Sequence, residues 1–458
     1  MSSDTIVDDL RALLGAENIL VDADVTARFD GWPPIHPVQA RCIARPGTTA
    51  EVSAVLKYCD RARIAVVPQG GRTGLAKGAR STANDVALSL ERLNRIEGVD
   101  VTGATMTVEA GVPLQRVQEA AAEQGLFYPV DLGARGSATI GGNIATNAGG
   151  NRVLRYGMTR EQVLGVEAVL ADGTVVSSMN RLLKNNAGYD LKQLFIGTEG
   201  TLGVLTRAVL RLRPALGKTA TALASVNTFA DSLALLKHFS RLAREALTSF
   251  EVMWPEFSDA VLASGHHKRP FETSGGFWVL VEVAREDAEF FLEDAISGAL
   301  ENGVVSDAVV AMSEAQAAAL WALREDSAAR SAALRPAIHF DIGLPQEDMP
   351  GYVDCVKQQL QARWPAAKLL VFGHVGDCNI HLTVGVGSDD PASRHAVDEI
   401  VYAPLQALGG TISAEHGVGL EKRGFLGVSR NPVELELMRR LKATLDPNRI
   451  LNPGKVVA

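Results

Sequence analysis

Cysteine is scarce in this chain. Cys42, Cys59, Cys355 and Cys378 are the only four in 458 residues, and no two stand in a C-x-x-C arrangement. That excludes a disulfide scaffold and a cysteine zinc site, and it fits a reducing compartment, with the cytoplasm as the expectation. Long apolar runs are also missing. No stretch reaches the roughly 18–20 residues of a membrane-spanning helix. Met1–Leu14 is acidic and amphipathic, without the basic start and apolar run of a signal peptide. Two nucleotide fingerprints are absent: no G-x-G-x-x-G follows a strand and opens a helix, and no G-x-x-x-x-G-K-[ST] occurs. There is no iron–sulfur cysteine spacing and no C-x-x-C-H for haem attachment. Positive charge is not in excess either. The formal charge of −8 gives a nucleic-acid partner little electrostatic support, so an anionic substrate needs a local basic pocket.

What is present is apolar residues, at 47%, and glycine, at 43 residues. The length predicts two to three domains at about 150 residues each. Periodicity predicts helices over residues 4–15, 51–63 and 432–445, and a helical, Ala-rich stretch over 311–333. Ile64–Pro68 reads as a buried strand and Leu202–Leu212 as another. Val163–Leu170, Asp172-Gly173 and Val175-Val176 read as a hairpin. Much of the glycine falls in three loops: Pro68-Gln69-Gly70-Gly71-Arg72-Thr73-Gly74, the stretch Asp131–Gly150 with Gly141, Gly142, Asn143, Asn147, Gly149 and Gly150, and Gly197–Gly203 with Glu199 and Gly200. Successive backbone N–H groups in such loops form anion-binding concavities, and a missing Cβ lets a diphosphate approach closely. Thr73, Ser137, Thr139 and Asn143 can add hydrogen bonds. One such loop is an ordinary tight turn as readily as a site; three together point to a large nucleotide.

The segment His374-Val375-Gly376-Asp377-Cys378-Asn379-Ile380-His381 carries the sharpest chemistry. As strand, two-residue turn at Asp377-Cys378, and strand, it sets the two imidazoles opposite one another with Cβ atoms about 4.5–5.5 Å apart. Both can then bind one ion. Glu415, in Ser413-Ala414-Glu415-His416-Gly417, offers a third ligand. Two His and one Glu with an open position fit a catalytic Zn²⁺-like site, and the ligand types also suit Mn²⁺ or Fe²⁺.

From about residue 35 to 455 these motifs together resemble the vanillyl-alcohol oxidase superfamily, in the branch of D-lactate, glycolate and D-2-hydroxyglutarate dehydrogenases. The resemblance implies an α+β fold. Residues 35–214 would form an FAD-binding domain in two subdomains, preceded by a helical segment over 1–34. Residues 215–458 would form a C-terminal domain with an antiparallel sheet and helices on one face, its tail at Asn452-Pro453-Gly454-Lys455 returning to the FAD domain. It implies that Pro68–Gly74 and Gly141–Gly150 wrap the FAD diphosphate, and that Gly200, Gly203 and Val204 lie near the adenine or ribose. Asp131, Ser137, Thr139, Ala145, Asn147, Gly157, Glu199 and Asn452 complete the candidate cofactor residues. Covalent members often carry a His in the first loop; residues 68–78 have none, so dissociable FAD is expected. The family's His-x-Gly-Asp-Gly-Asn-x-His motif is matched except that Cys378 stands where Gly is usual, which asks a Cys to take positive φ. The family implies His374, His381 and Glu415 as metal ligands, His416 as base, and Arg324 as binder of a substrate carboxylate, where a guanidinium fork is apt. Ala328, His339 and Thr383 stand where D-2-hydroxyglutarate dehydrogenases have Thr, Lys and Asn.

The expected function is oxidation of a D-2-hydroxy acid to its 2-oxo acid, with hydride to FAD, proton to His416, and a divalent ion, Zn²⁺ foremost, acidifying the hydroxyl. Electrons would leave through a diffusible acceptor, such as an electron-transfer flavoprotein, a quinone or a cytochrome. An oxidase using O₂, a metal-dependent hydrolase and a non-catalytic flavin-binding module are the rivals; a hydrolase would be colourless, and a binding module would not bleach with substrate.

Overall fold

Two parallel strand pairs set the frame for the start of the chain. In the computed structural model, which describes residues 3–271 and 276–457, Cys42–Ala44 and Val66–Gln69 both run parallel to Val86–Ser89. Ile19–Leu20 joins this sheet antiparallel to Cys42–Ala44, giving the order Ile19–Leu20, Cys42–Ala44, Val86–Ser89, Val66–Gln69. Met1 and Ser2 lie outside the described residues. Helices Ser3–Leu14 and Thr49–Ala62 form where apolar residues recur at three- and four-residue spacing. Thr48 caps the second by accepting the Glu51 N–H at 3.1 Å. Leu10, Val52 and Leu56 are fully buried against Cys42, Val66 and Leu88, each worth roughly 1.5–3 kcal/mol of burial.

The chain divides into two compact units. The first takes Met1–Gly150, Gly157–Ala215 and Glu415–Ala458. Besides the sheet above it holds an antiparallel one in the order Ile96–Asp100, Thr105–Glu109, Val204–Arg211, Val163–Val169, Val175–Ser178. The Asp172-Gly173 hairpin forms as read, with Gly173 at φ 85. Helices Leu114–Ala122 and Ile140–Thr146 bury Leu114, Val117, Ile140 and Ile144 in a second core with Val108, Leu205 and Leu210. The C-terminal helix Pro432–Leu445 opens with a capping box, Asn431 with Glu434, and Pro at its first turn. Beyond it, Leu451 bridges Val66 in parallel, and Asn452 donates its N–H to the Val66 carbonyl at 2.8 Å. The return to the first unit thus starts at Glu415, well before the Asn452–Lys455 tail.

The second unit takes Asn151–Tyr156 and Leu216–Ala414. Its sheet has seven strands in the order Asp307–Val310, Thr219–Val226, Phe277–Ala284, Leu247–Met253, Lys368–Gly373, Asn379–Gly385, Ile338–Gly343, all antiparallel. Leu280, Met253, Leu370 and Phe372 meet Phe257, Leu320 and Leu323 of the helices Pro255–Ala263 and Glu314–Glu325. Val279, Val281 and Val283, pointing the other way, are equally buried. The sheet is therefore covered on both faces, which the unbroken apolar run Trp278–Val281 demands, and helices on one face alone would not suffice.

Candidate functional site

The first unit contains a cavity of about 360 Å³, within the usual range for small-molecule sites. The three glycine loops line it. Of the residues expected to hold a cofactor, Pro68, Gln69, Gly70, Gly71, Arg72, Thr73, Gly74, Thr139, Gly141, Gly142, Asn143, Ala145, Gly149, Glu199, Gly200, Gly203, Val204 and Asn452 stand on its wall. Asp131, Ser137, Asn147, Gly150 and Gly157 do not, and each has another task. Asp131 pairs with Arg135 at 3.3 Å. Asn147 caps its helix at φ 49 and accepts the Arg160 N–H at 2.9 Å. Gly157, at φ 76, has no room beside Glu161. Leu75, Leu90, Leu132 and Leu205 add an apolar lining that spacing alone did not mark.

Four polar atoms on the wall are buried and unpaired among the described residues: Gln69 Oε1, Thr139 Oγ1, Asn143 Nδ2 and Asn452 Oδ1. Buried polar groups normally find partners, so a run of orphans facing one cavity is the mark of a polar ligand. These donors and acceptors, with the Arg72 guanidinium whose basicity burial reduces, suit a dinucleotide such as FAD.

The glycines act differently from the sequence reading. A Cβ on Gly71 would lie 1.9 Å from the Ser137 carbonyl, and one on Gly70 2.5 Å from Thr139 Oγ1. Their bareness lets the loops pack on one another, which in turn shapes the cavity. Gly71→Ala is accordingly expected to lower stability by about 1–3 kcal/mol and to weaken flavin retention, read by thermal unfolding and by the absorbance of bound flavin. A variant that melts and carries flavin like the unaltered protein would refute this packing.

Glu415 and His416 line the same cavity. Glu415 Oε1 accepts the Gly150 N–H at 2.7 Å. The following loop is pinned by Glu199, whose carboxylate accepts Val418 N–H at 2.7 Å and Gly419 N–H at 3.0 Å. Burial raises the Glu199 pKa, and these N–H groups only partly offset it. Gly417, at φ 78, would place a Cβ 2.7 Å from Glu199 Oε1, and Gly419, at φ 50, one 1.9 Å from the Ala76 carbonyl. The backbone around His416 is thus tightly held.

In the second unit, His374 and His381 come together with ring centroids 5.3 Å apart, and with a ligand nitrogen of each within 4.8 Å of the other. The route differs from a two-residue turn. His381 pairs across from Phe372, because a short 3-10 turn at Val375–Asp377 and Cys378 at φ 68 lengthen the connection. The imidazoles meet diagonally at the strand end. Cys378 does adopt the left-handed conformation that Gly occupies more cheaply. Gly373 permits the close strand approach just before His374, since a Cβ there would lie 2.7 Å from the Asn379 carbonyl oxygen.

A residue that sequence reasoning missed organises this cluster. Glu251, in the strand Leu247–Met253, is 1% exposed. It accepts Arg324 Nε–H at 2.8 Å and contacts His374 Nδ1 at 2.5 Å. Arg324 Nη2 lies 3.1 Å from His374 Nε2. Arginine can only donate, so Nε2 carries the lone pair and Nδ1 the hydrogen given to Glu251. A carboxylate fixing one imidazole nitrogen leaves the other with its lone pair, which here accepts from Arg324 and which a metal would take in Arg324's place. Burial pushes the Glu251 pKa up, but the Arg324 and His374 contacts outweigh it and hold it at about 2. Arg324 is buried in this network, not in a surface ion pair. Asp341, fully buried, stands 3.9 Å from His381 Nδ1 and accepts from Asn379 Nδ2 at 2.9 Å. His339 Nδ1 meets Thr383 Oγ1 at 3.2 Å. The donor set of His374 and His381, oriented and backed by carboxylates, suits a divalent ion.

Comparison with known proteins gives two family matches along the chain. Residues 40–178 match a family described as FAD binding domain, and residues 217–456 one described as FAD linked oxidases, C-terminal domain. The D-2-hydroxyglutarate dehydrogenase of Xanthomonas citri pv. viticola is 41% identical across 93% of this chain and 90% of its own length. That of Stutzerimonas stutzeri is 36% identical across 100% of both. The mitochondrial D-2-hydroxyglutarate dehydrogenase of Bos taurus is 38% identical, covering 98% of this chain and 83% of its own. Among solved structures, p-cresol methylhydroxylase with substrate bound superposes with a TM-score of 0.77 at 16% identity, covering 99% of this chain and 96% of its own. Alkyldihydroxyacetonephosphate synthase gives 0.76 at 18%, covering 99% and 86%. At such identities the likeness is one of fold alone.

Proposed function

Because the chain belongs to the FAD-linked oxidase family, in the branch of its D-2-hydroxyglutarate dehydrogenase relatives, we propose that it is an FAD-dependent D-2-hydroxyacid dehydrogenase, converting a D-2-hydroxy acid to the 2-oxo acid. The observation that carries this reading is the first unit's cavity. Its wall combines the three glycine loops, four orphaned polar atoms, and the Glu415-His416 pair. FAD, when bound there non-covalently, supplies the hydride acceptor, and a divalent ion, Zn²⁺ by ligand type, supplies Lewis acidity. His374, His381 and Glu415 would hold the ion.

The remaining work falls to the chain. His416 accepts the proton of the 2-hydroxyl on a ring nitrogen; imidazole titrates nearest neutrality of the side chains and suits that task. Arg324, already aimed by Glu251, binds a carboxylate through the edge of its fork not committed there. Electrons then pass to a diffusible acceptor: an electron-transfer flavoprotein, a quinone or a cytochrome. No helix among the described residues is long and apolar enough to cross a membrane. The free, buried thiols of Cys42 and Cys59 support a reducing compartment, the cytoplasm.

Anaerobic mixing of the yellow protein with D-2-hydroxy acids is expected to bleach the flavin, while the L-enantiomers leave it oxidised. Prior treatment with a chelator is expected to slow bleaching without releasing flavin. A flavin that stays oxidised with every D-2-hydroxy acid tried would sink the dehydrogenase reading.

A further inference from the structure

One lysine of the first unit gives up all its donors to hold backbone in place. Lys442, in the last turn of the helix Pro432–Leu445, has a side chain only 15% exposed. An ammonium has three N–H groups, and here each has its acceptor. One is the Thr201 carbonyl at 2.8 Å, one the Leu451 carbonyl at 2.6 Å, and one the fully buried Asp446 carboxylate. That carboxylate in turn accepts the Ile450 N–H at 2.9 Å and the Leu451 N–H at 2.8 Å. Neither Lys442 nor Asp446 is on the cavity wall.

Thr201 belongs to the third glycine loop, two residues after Glu199, and Leu451 immediately precedes Asn452. One ammonium therefore joins the two backbone segments that Asn452 itself bridges, since Asn452 Nδ2 donates to the Glu199 carbonyl at 2.7 Å. Nδ2 gives its other hydrogen to the Gly78 carbonyl at 3.1 Å. Only an amide nitrogen can face two carbonyls, so the side chain has one orientation, and Oδ1 is left as a buried acceptor without a partner on the cavity wall. The peptide between Leu451 and Asn452 is gripped on both sides: its carbonyl by Lys442, its N–H by the Val66 carbonyl at 2.8 Å. Asn452 stands at φ 41, a left-handed conformation that a residue other than Gly enters at a cost and keeps only where its surroundings impose it. Charged donors make the stronger hydrogen bonds, and Asp446 balances the charge that this one brings into the interior.

We propose that Lys442 is a positioning residue for the flavin: it fixes the third glycine loop against the Leu451–Asn452 peptide, and so aims Asn452 Oδ1 at a hydrogen-bond donor of the bound cofactor. FAD carries such donors in its ring N–H, its adenine amino group and its hydroxyls. The inference rests on flavin binding in this cavity, whichever acid is oxidised.

The test reads flavin release from the holoprotein, through the fluorescence that flavin regains in solution, and thermal unfolding of each protein once its flavin is removed. Lys442→Met should raise the dissociation constant for FAD by about 10- to 100-fold, the cost of leaving a buried acceptor poorly met. Asn452→Ala should do the same. The two losses should not add: in the Asn452→Ala background, Lys442→Met should change FAD affinity by no more than about 2-fold, because its route to the cofactor is already cut. Stability gives the contrast. Lys442→Met strands the Asp446 carboxylate whether or not Asn452 is present, so it should lower the melting temperature alike in both backgrounds. A loss of affinity as large without Asn452 as with it overturns the positioning role and leaves Lys442 a brace of the fold; an affinity that does not change overturns it too. Lys442→Arg keeps the charge that answers Asp446 and carries the same cycle, with a smaller loss expected, should the Met variant fail to fold. If the unaltered protein binds no FAD, the failure belongs to the cofactor reading, and the inference falls with it.

Discussion

His416→Ala yields a protein that keeps its flavin and turns over D-2-hydroxy acids roughly 10²- to 10⁴-fold more slowly, the span expected when a general base is removed. The flavin should stay because backbone hydrogen bonds hold the loop. Val418 and Gly419 N–H groups bind Glu199, and Leu420 N–H binds the Ala76 carbonyl at 3.0 Å. Gly417 and Gly419 are fitted against Glu199 and Ala76 with no space for a side chain. Visible absorbance of the purified variant reports flavin content, and steady-state kcat with an artificial acceptor reports the chemistry. Turnover equal to that of the unaltered protein would remove His416 as the base. A colourless variant would show instead that the imidazole supports the cofactor loop.

Glu251→Ala has the largest expected effect on stability, a loss of about 3–5 kcal/mol, because it strands a buried guanidinium beside His374. Thermal unfolding measures this. Glu251→Gln is the gentler variant: it keeps an acceptor for Nδ1–H but removes the charge that answers Arg324. If Glu251 fixes the tautomer that presents Nε2, this variant should weaken divalent-ion binding by about 10- to 100-fold, read by competition with a chromophoric chelator. Equal ion affinity in the variant and the unaltered protein would leave Glu251 with a purely structural part. Because the readout is ion binding, it does not depend on substrate identity.

Much of this is legible in the amino-acid sequence. The helices and the Asp-Gly hairpin follow from periodicity and turn chemistry, since their stability comes from local pattern and one buried face. The imidazole pair is visible because its members sit close in sequence. What was hidden depended on long separations. Glu251 is one carboxylate in an apolar strand, 73 residues from Arg324 and 123 from His374. No spacing rule links them, and an acid in such a strand signals only that a partner exists. The turn between His374 and His381 was misjudged by its length, because Cys378 extends it in a conformation that residue type disfavours. The glycines were read as openings for a ligand. Gly71 is instead a site where the Ser137 carbonyl from another loop fills the place of a Cβ, a relation that only the folded chain exhibits.

The mixed order of the first unit has a consequence for biosynthesis. Val66 donates its N–H to Ile450 and accepts from Asn452, while Asn452 Nδ2 reaches the Gly78 and Glu199 carbonyls at 3.1 and 2.7 Å. The opening strand loop and the closing residues thus complete one wall together. A ribosome synthesising this polypeptide exposes Pro68–Gly74 early, yet Asn452 emerges nearly four hundred codons later, after the whole intervening sheet has been translated. Completion of that wall therefore waits for residues translated long after the first loop.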